Sequence, residues 1–459
     1  MILLDRHGNG HAGVIGFGKT GRSAVEALEQ SGFRVSLFDD FGVDDTRYRN
    51  LVPEEFDWKT LDFLLVSPGI SLLWPRPHPA VKLALEHSVP VINDVDLFRR
   101  QVTGRIMGVT GTNGKSTTCA LIQRIMKADG EKIAVGGNFG TPVLSMEADE
   151  DFYVLELSSY QLESCNILGF DVAVLLNITP DHLTRHGGMA GYVTAKRKIF
   201  ADFTETSTAI VGVDDEYSRK TAEFLRSIKH PNVVPISGKI VPEGGVGWER
   251  DHLSDNRCGD SIVICAANST YDGVHNRQNI AAAYAACAAN GVAVEKFVAA
   301  LLSFGGLEHR QEVVAELDGV LYVNDSKATN AESVEFALRR FEDIFWILGG
   351  RPKENGIRSL GKYFHRIRHA FLIGEAADEW SRFLTENGVA NEVCCTLEVA
   401  LERAHRTCRI CCAKVVLLSP ACASFDQFRD FEHRGNEFKR LVRRLQSGEI
   451  TGMYRNGEP

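Results

Sequence analysis

Between residues 12 and 98 the chain alternates short apolar runs with helix-length amphipathic stretches. Val14-Ile15, Val35 to Phe38, Phe63 to Val66 and Val89 to Ile92 are the apolar runs, closed by glycine, acids or proline. This rhythm predicts parallel strands with helices on both faces of the sheet. It recurs after residue 99. Ile106 to Thr110 is a strand, and the helix after it carries an apolar face of Leu121, Ile122, Ile125 and Met126 at the 3.6-residue period. Phe152 to Leu157 and Val172 to Ile178 are further strands, and Gly191 to Phe200 is an amphipathic helix. Residues 238 to 260 are rich in glycine, charge and turn signals and carry no legible chemistry. Asn279 to Asn290 and Val294 to Phe304 are predicted helices. Val320 to Asp325, Ile344 to Gly350, Ala370 to Gly374 and Val415 to Ser419 are strands of a last region, entered through a hinge at Phe304-Gly305-Gly306-Leu307. The expected class is therefore α/β, with three domains at 1–98, 99–305 and 306–459. The tail after Leu445 is expected to fray.

Length agrees with that count, since 459 residues exceed one ordinary core. The formal charge of −9, from 60 acidic against 51 basic residues, disfavours generic nucleic-acid binding. No run approaches the roughly 18 apolar residues of a membrane span. Met1 to Arg6 is too short and too soon charged for a signal peptide. The expectation is a cytoplasmic monomer acting on small molecules. Eleven cysteines, with a cluster from Cys394 to Cys412, lack the second spaced pair that a zinc site needs, and are expected as reduced thiols.

Chemistry concentrates in three places. Thr110-Gly111-Thr112-Asn113-Gly114-Lys115-Ser116-Thr117 is a glycine-rich turn between strand and helix, a shortened phosphate loop. Backbone N–H groups there cup phosphate, Lys115 neutralises it, and the Ser116 hydroxyl ligates Mg²⁺. Glu156, at the end of the next strand, and His182, after Asn177-Ile178-Thr179-Pro180-Asp181, fall at the carboxyl edge where ligands of parallel sheets collect. Gly16, Gly18 and Gly21, with Asp39 some 20 residues on, suit a pyrophosphate and ribose, whether of NAD or of a nucleotide sugar.

Together these segments resemble one family, the Mur ligases, ATP-dependent amide-forming enzymes of peptidoglycan precursor synthesis, and among them its D-glutamate-adding branch. The resemblance rests on the phosphate loop, on Leu155 to Leu162, Asn177 to Leu183 and Asn324 to Asn330, and on Leu418 to Phe428 continuing to Arg434-Gly435. It implies a Rossmann-like domain for a UDP-sugar, a central ATPase domain and a C-terminal Rossmann-like domain that brings the amino acid. The substrates implied are UDP-MurNAc-L-Ala, D-glutamate and ATP with two Mg²⁺ ions. Gly16, Phe17, Thr20, Gly21, Asp39, Asp40, Ser67, Gly69, Asn138, Ser158 and Gln161 are then UDP-sugar residues. ATP falls to Gly111, Thr112, Asn113, Gly114, Lys115, Ser116, Thr117, Asn276, Asn279, His309, Arg310, Asp325 and Lys327. D-Glutamate falls to Thr329, Lys353, Ser424 and Phe431. The metal ligands implied are Ser116, Glu156, His182 and Lys196, and the catalytic groups Lys115, His182, Lys196 and Asp325.

Lys196 matches a lysine that the family carries N-carboxylated. Without the family it reads as one of three basic residues on a solvated helix face, and an ammonium is no Mg²⁺ ligand. Two positions depart from the family: Arg351-Pro352 replaces acidic or small residues, and Thr184 stands where Asp is common. A folylpolyglutamate-type ligase would share the central site but lack the first domain and the Ser419 to Phe428 segment. A nicotinamide oxidoreductase would leave Lys115, Glu156 and His182 unused.

Overall fold

A computed structural model describes residues 1–4, 10–230, 232–257, 260–263, 273–304, 306, 308–352, 356–408 and 413–447. The chain divides into two compact units, Met1–Gly305 and Gly306–Pro459.

The first unit holds two sheets. Its smaller sheet has four parallel strands, ordered Arg34–Phe38, His11–Ile15, Phe63–Val66, Val91–Ile92. The chain reverses direction of travel between His11–Ile15 and Phe63–Val66, the switch point at which doubly wound sheets bind ligands. The larger sheet runs through nine strands. The phosphate-loop strand Arg105–Thr110 lies inside it, parallel to Phe152–Glu156 on one side and Val172–Leu175 on the other. Helix Lys115–Asp129 leaves from that strand, and Leu121, Ile122, Ile125 and Met126 are all buried under it, as their spacing predicts. Each contributes roughly 1.5–3 kcal/mol of burial.

The second unit carries a six-stranded sheet ordered Glu312–Leu317, Val320–Asn324, Val415–Leu418, Ile344–Gly349, Ile367–Ile373, Asn391–Cys395. Only the Glu312–Leu317 edge is antiparallel. The strand last in the chain, Val415–Leu418, lies between two earlier ones, so its end meets the ends of both. Trp346, fully buried, donates its indole N–H to Ser419 O at 2.8 Å.

Several boundaries differ from expectation. The first helix starts at Lys19 rather than near Ser23, which puts Gly21 inside its first turn. A Cβ at Gly21 would stand 1.8 Å from Gly16 O, so the third glycine serves close helix–turn packing. The helix expected from Asn279 begins at Val274, and the one expected over Gly191 to Phe200 spans Met189–Arg197 before a 3₁₀ turn. Residues 238–260 form strands Val246–Glu249 and His252–Asp255, and the strand Asp260–Val263 completes an antiparallel extension of the large sheet. In the second unit the sequence reading missed Glu312–Leu317 and Asn391–Cys395, both edge strands whose half-polar composition hides their period.

Candidate active site

The phosphate loop is built from its own backbone. Gly114 caps the helix at φ +89°, a region that side chains avoid, and a Cβ there would stand 2.2 Å from Asn279 Oδ1. Asn177 holds the turn from the neighbouring strand: its Oδ1 accepts from Asn113 N at 2.9 Å and its Nδ2 donates to Asn113 O at 3.2 Å. Asn177 also donates to Gln278 Oε1 at 3.1 Å, and Gln278 donates to Asp214 at the same distance. Thr112 N donates to Asn177 O, and the Thr112 hydroxyl meets Tyr192 OH at 3.0 Å. Lys115 Nζ donates to Gly111 O at 2.9 Å and to Thr112 O at 3.1 Å, so its charge lies over the loop.

Glu156 and Lys196 stand beside this loop, and His182 stands on the loop whose Thr179 O accepts from the Thr112 hydroxyl. Glu156 ends the adjacent strand and is buried. Its Oε1 accepts from Asn138 Nδ2 at 3.1 Å, while Oε2 has no hydrogen-bond partner among the described residues. Lys196, in the last turn of helix Met189–Arg197, is only 2% exposed. Its Nζ donates to Gly111 O at 3.0 Å and approaches Thr110 Oγ1 at 3.3 Å. Burial drives its pKa well below the ordinary lysine value, and the charge of Lys115 pushes the same way; Asp181 and Glu156 only partly oppose them. Both effects favour the neutral, nucleophilic amine over the ammonium.

His182 sits at φ +51° on the loop after strand Val172–Leu175, its Nε2 3.3 Å from Asp181 Oδ2, and is half exposed. Its ring begins a ladder of His182, Tyr160, His186 and Tyr192 with centroids 5.0, 5.5 and 5.5 Å apart, and Lys196 Nζ lies 5.0 Å from the Tyr192 ring centroid. His186 is buried against Ser159 Oγ at 3.0 Å, and burial with the charge of Arg185 lowers its pKa to about 4. It stays neutral.

These donors suit Mg²⁺. An orphaned carboxylate oxygen on Glu156 and the Ser116 hydroxyl are hard oxygen ligands at the phosphate-loop edge. The pair of His182 and Lys196 fits only if the amine is converted to an oxygen donor.

At the switch point of the small sheet, Gly16 takes φ +94° and Ser67 Oγ donates to Gly16 O at 2.9 Å, joining two strand ends. Asp39 accepts from Phe17 N at 2.5 Å and from Phe41 N at 2.8 Å, so its carboxylate shapes the turn. Asp40 pairs with His78 at 3.3 Å. Thr20 and Gly21 lie in the first turn of helix Lys19–Gln30, and Gly69 follows the strand that ends before Ser67. Ser158 and Gln161 form a capping box on helix Ser159–Ser164, with bonds of 3.0 and 3.2 Å. Their side chains thus have a local task that the sequence reading did not assign. Asn276 and Asn279 lie in the first turns of helix Val274–Ala288.

In the second unit, Asp325 ends strand Val320–Asn324 and is buried, accepting from Ser419 Oγ at 2.7 Å and Gln311 N at 3.1 Å. Burial raises its pKa to about 7. His309 is buried beside Asn324 at 2.9 Å, and Lys327 N donates to His309 O at 3.0 Å. Arg310 follows His309 and acts electrostatically on Asp325. Lys327 Nζ stands 5.7 Å from the centre of the Phe431 ring. Thr329 N donates to Lys327 O, and Ser424 is buried, its carbonyl accepting from Gln427 N and Phe428 N. Phe431 opens the last helix behind the Asp430 cap. Lys353 lies outside the described residues, as do Cys411 and Cys412 of the cysteine cluster.

The sequence reading placed Asn177, Ser419 and Arg434 in family motifs without a role of their own, and gave no site role to Gln278 and Tyr192. For Tyr192 a signal existed, since it precedes Lys196 by four and shares its helix face. Gln278 shows none, because its partners come from distant segments.

A profile of the Mur ligase middle domain matches residues 109–287. The UDP-N-acetylmuramoylalanine–D-glutamate ligase of Rhodospirillum rubrum is 45% identical, the alignment covering 96% of each chain. That of Paramagnetospirillum magneticum is 42% identical over 95% of this chain and 96% of its own. Among solved structures, MurF of Acinetobacter baumannii shares the fold with a TM-score of 0.60 at 19% identity, covering 96% of this chain and 93% of that one. Strand order, phosphate loop and full-length similarity agree: the chain belongs to the Mur ligase family, alongside the UDP-N-acetylmuramoylalanine–D-glutamate ligases.

Proposed function

We propose that this Mur ligase joins D-glutamate to UDP-MurNAc-L-Ala with cleavage of ATP to ADP and phosphate, in peptidoglycan precursor synthesis. The observation that carries the reading is the convergence of Lys115, Glu156 and the buried amine of Lys196 on one phosphate loop. The names of the two similar ligases supply the substrates.

The first step brings a sugar-linked carboxylate against the γ-phosphate of ATP, two anions, so charge neutralisation dominates it. Lys115 and the N–H groups from Gly114 to Thr117, at the start of the helix, would hold the phosphates. Ser116 and the Glu156 oxygen that lacks a hydrogen-bond partner would hold one Mg²⁺, and His182 with an N-carboxylated Lys196 would hold a second. Mg²⁺ held there would supply positive charge to the phosphate oxygens. Addition of a neutral Lys196 amine to CO₂, with its proton passing to solvent, would give a carbamate whose oxygens are proper ligands. The substrate carboxylate displaces ADP to form an acyl phosphate. The D-glutamate amine attacks that carbonyl, and phosphate leaves the tetrahedral intermediate.

The UDP-sugar rests on Gly16, Phe17, Thr20, Gly21, Asp39, Asp40, Ser67, Gly69, Asn138, Ser158 and Gln161, the small sheet forming the 1–98 domain and 99–305 the ATP domain. Asn276 and Asn279 of the first unit, and separately His309, Arg310, Asp325 and Lys327 of the second, are the further residues that the family resemblance assigns to ATP. Thr329, Ser424, the Phe431 backbone and Lys353 take the two carboxylates of D-glutamate, and the enzyme acts as a cytoplasmic monomer. The test is Ser424→Ala. It should raise the D-glutamate concentration for half-maximal rate by about tenfold or more, roughly one charge-assisted hydrogen bond, with that for ATP nearly unchanged. Equal effects on both would refute the amino-acid site.

A further inference from the structure

The second unit contains a buried cation that none of these steps uses. Arg434 lies in the first turn of helix Phe431–Gln446 and is 0% exposed. Its Nε donates to Ser326 Oγ at 3.0 Å, and its Nη2 to Ser326 O at 2.9 Å and Cys422 O at 3.1 Å. Ser326 Oγ in turn donates to Phe431 O at 2.8 Å. One guanidinium therefore ties together the segments that follow strands Val320–Asn324 and Val415–Leu418 and the start of the last helix. Those three segments carry Thr329, Ser424 and Phe431.

Two further features separate Arg434 from an ordinary structural arginine. Its hydrogen bonds go to a hydroxyl and two carbonyls, all neutral acceptors, and the Asp426 carboxylate acts on its charge only through space. Its Nη1 has no partner among the described residues, and a Cβ on Gly350, at the end of strand Ile344–Gly349, would lie 3.3 Å from that atom. Burial lowers the guanidinium pKa only to about 10, so the charge persists at neutral pH. A buried cation whose hydrogen bonds all go to neutral acceptors is costly unless a further anion offsets it. The carboxyl edge of this sheet is where an anionic substrate would do so.

We propose that Arg434 is a positioning residue for the dicarboxylate amino acid: it locks the three segments of that pocket in one register and gives the pocket a fixed positive charge. The inference rests on the amino-acid site proposed above. Three variants separate its parts. Ser326→Ala removes the hydroxyl that receives Nε and bridges to Phe431. Arg434→Lys keeps a charge but loses the fork, and Arg434→Met loses both. Steady-state kinetics should show half-saturation for D-glutamate raised about tenfold in Ser326→Ala and Arg434→Lys, and further in Arg434→Met, with ATP and UDP-sugar half-saturation within about twofold of wild type. Urea unfolding of each full-length variant verifies folding. A folded Arg434→Lys or Ser326→Ala with wild-type D-glutamate dependence overturns the proposal, and so does an equal rise for all three substrates. If Arg434→Met does not fold, the other two decide. If it folds and matches Arg434→Lys, the electrostatic half is wrong. A normal Ser424→Ala would instead undermine the amino-acid site itself, so the two failures are distinguishable.

Discussion

Replacing Lys196 with alanine removes three methylene groups and an amine from a site that is 2% exposed. The lost packing should cost about 2 kcal/mol, a fraction of the 5–15 kcal/mol that holds typical domains together, so the variant should remain folded. Burial also disfavours the ammonium: with its folded pKa below 10.5, Lys196 costs stability most at low pH, and the cost disappears as pH rises through the unfolded value. Alanine relieves that cost, which offsets part of the packing loss. Turnover should behave very differently. Without the carbamate, one negative oxygen donor is gone from the phosphate-transfer site, and we expect a fall of at least about a thousandfold, roughly 4 kcal/mol of barrier. The assay is phosphate release at saturating ATP, Mg²⁺ and substrates. Acetate or formate should restore part of the rate in Lys196→Ala by entering the vacated volume. Neither acid should rescue Lys196→Met, where the thioether fills that volume. Wild-type turnover should also fall when CO₂ is stripped from the buffer, and recover with bicarbonate. Near-normal turnover in Lys196→Ala, or rescue by chloride as effective as rescue by acetate, would refute the carbamate.

Gly114→Ala forces a Cβ to 2.2 Å from Asn279 Oδ1 at φ +89°, and should raise half-saturation for ATP by at least about tenfold in a nucleotide titration. Glu156→Gln keeps the shape but removes the charge behind the orphaned Oε2, so the Mg²⁺ concentration for half activity should rise at least about tenfold; an unchanged Mg²⁺ curve would exclude Glu156 as a ligand. Asp325 has a folded pKa raised to about 7, so between its unfolded value of 3.8 and that pH the folded state holds the extra proton. Its burial therefore lowers stability progressively as pH rises through that window, and Asp325→Asn should flatten this part of the urea-midpoint profile while impairing turnover.

The strands that carry chemistry were legible because each ends an apolar run at a turn residue. Gly111 to Ser116, Glu156, Asn177 to His182 and Asn324 to Thr329 all stand at the carboxyl edges that this pattern predicts. The antiparallel hairpins of 246–263 were not legible, because they are short, half polar and paired at a sheet edge. The burial of Lys196 could not be read from Ala195-Lys196-Arg197-Lys198, where three basic residues suggest a wet face. Only tertiary packing against Gly111 and Tyr192 singles out the first of them. The same holds for Arg434, whose partners lie 108 and 12 residues away. Ser158 and Gln161 show the converse: a motif read for ligand contact also closes a helix cap.

The most direct test supplies the purified chain with ATP, Mg²⁺ and UDP-MurNAc-L-Ala and adds candidate amino acids one at a time, following ADP release and product mass. D-Glutamate should yield stoichiometric ADP, phosphate and the UDP-MurNAc-L-Ala-D-Glu product, with L-glutamate and meso-diaminopimelate slower by orders of magnitude. ADP release at the same rate with every amino acid, or a product formed with meso-diaminopimelate and none with D-glutamate, would contradict the assignment.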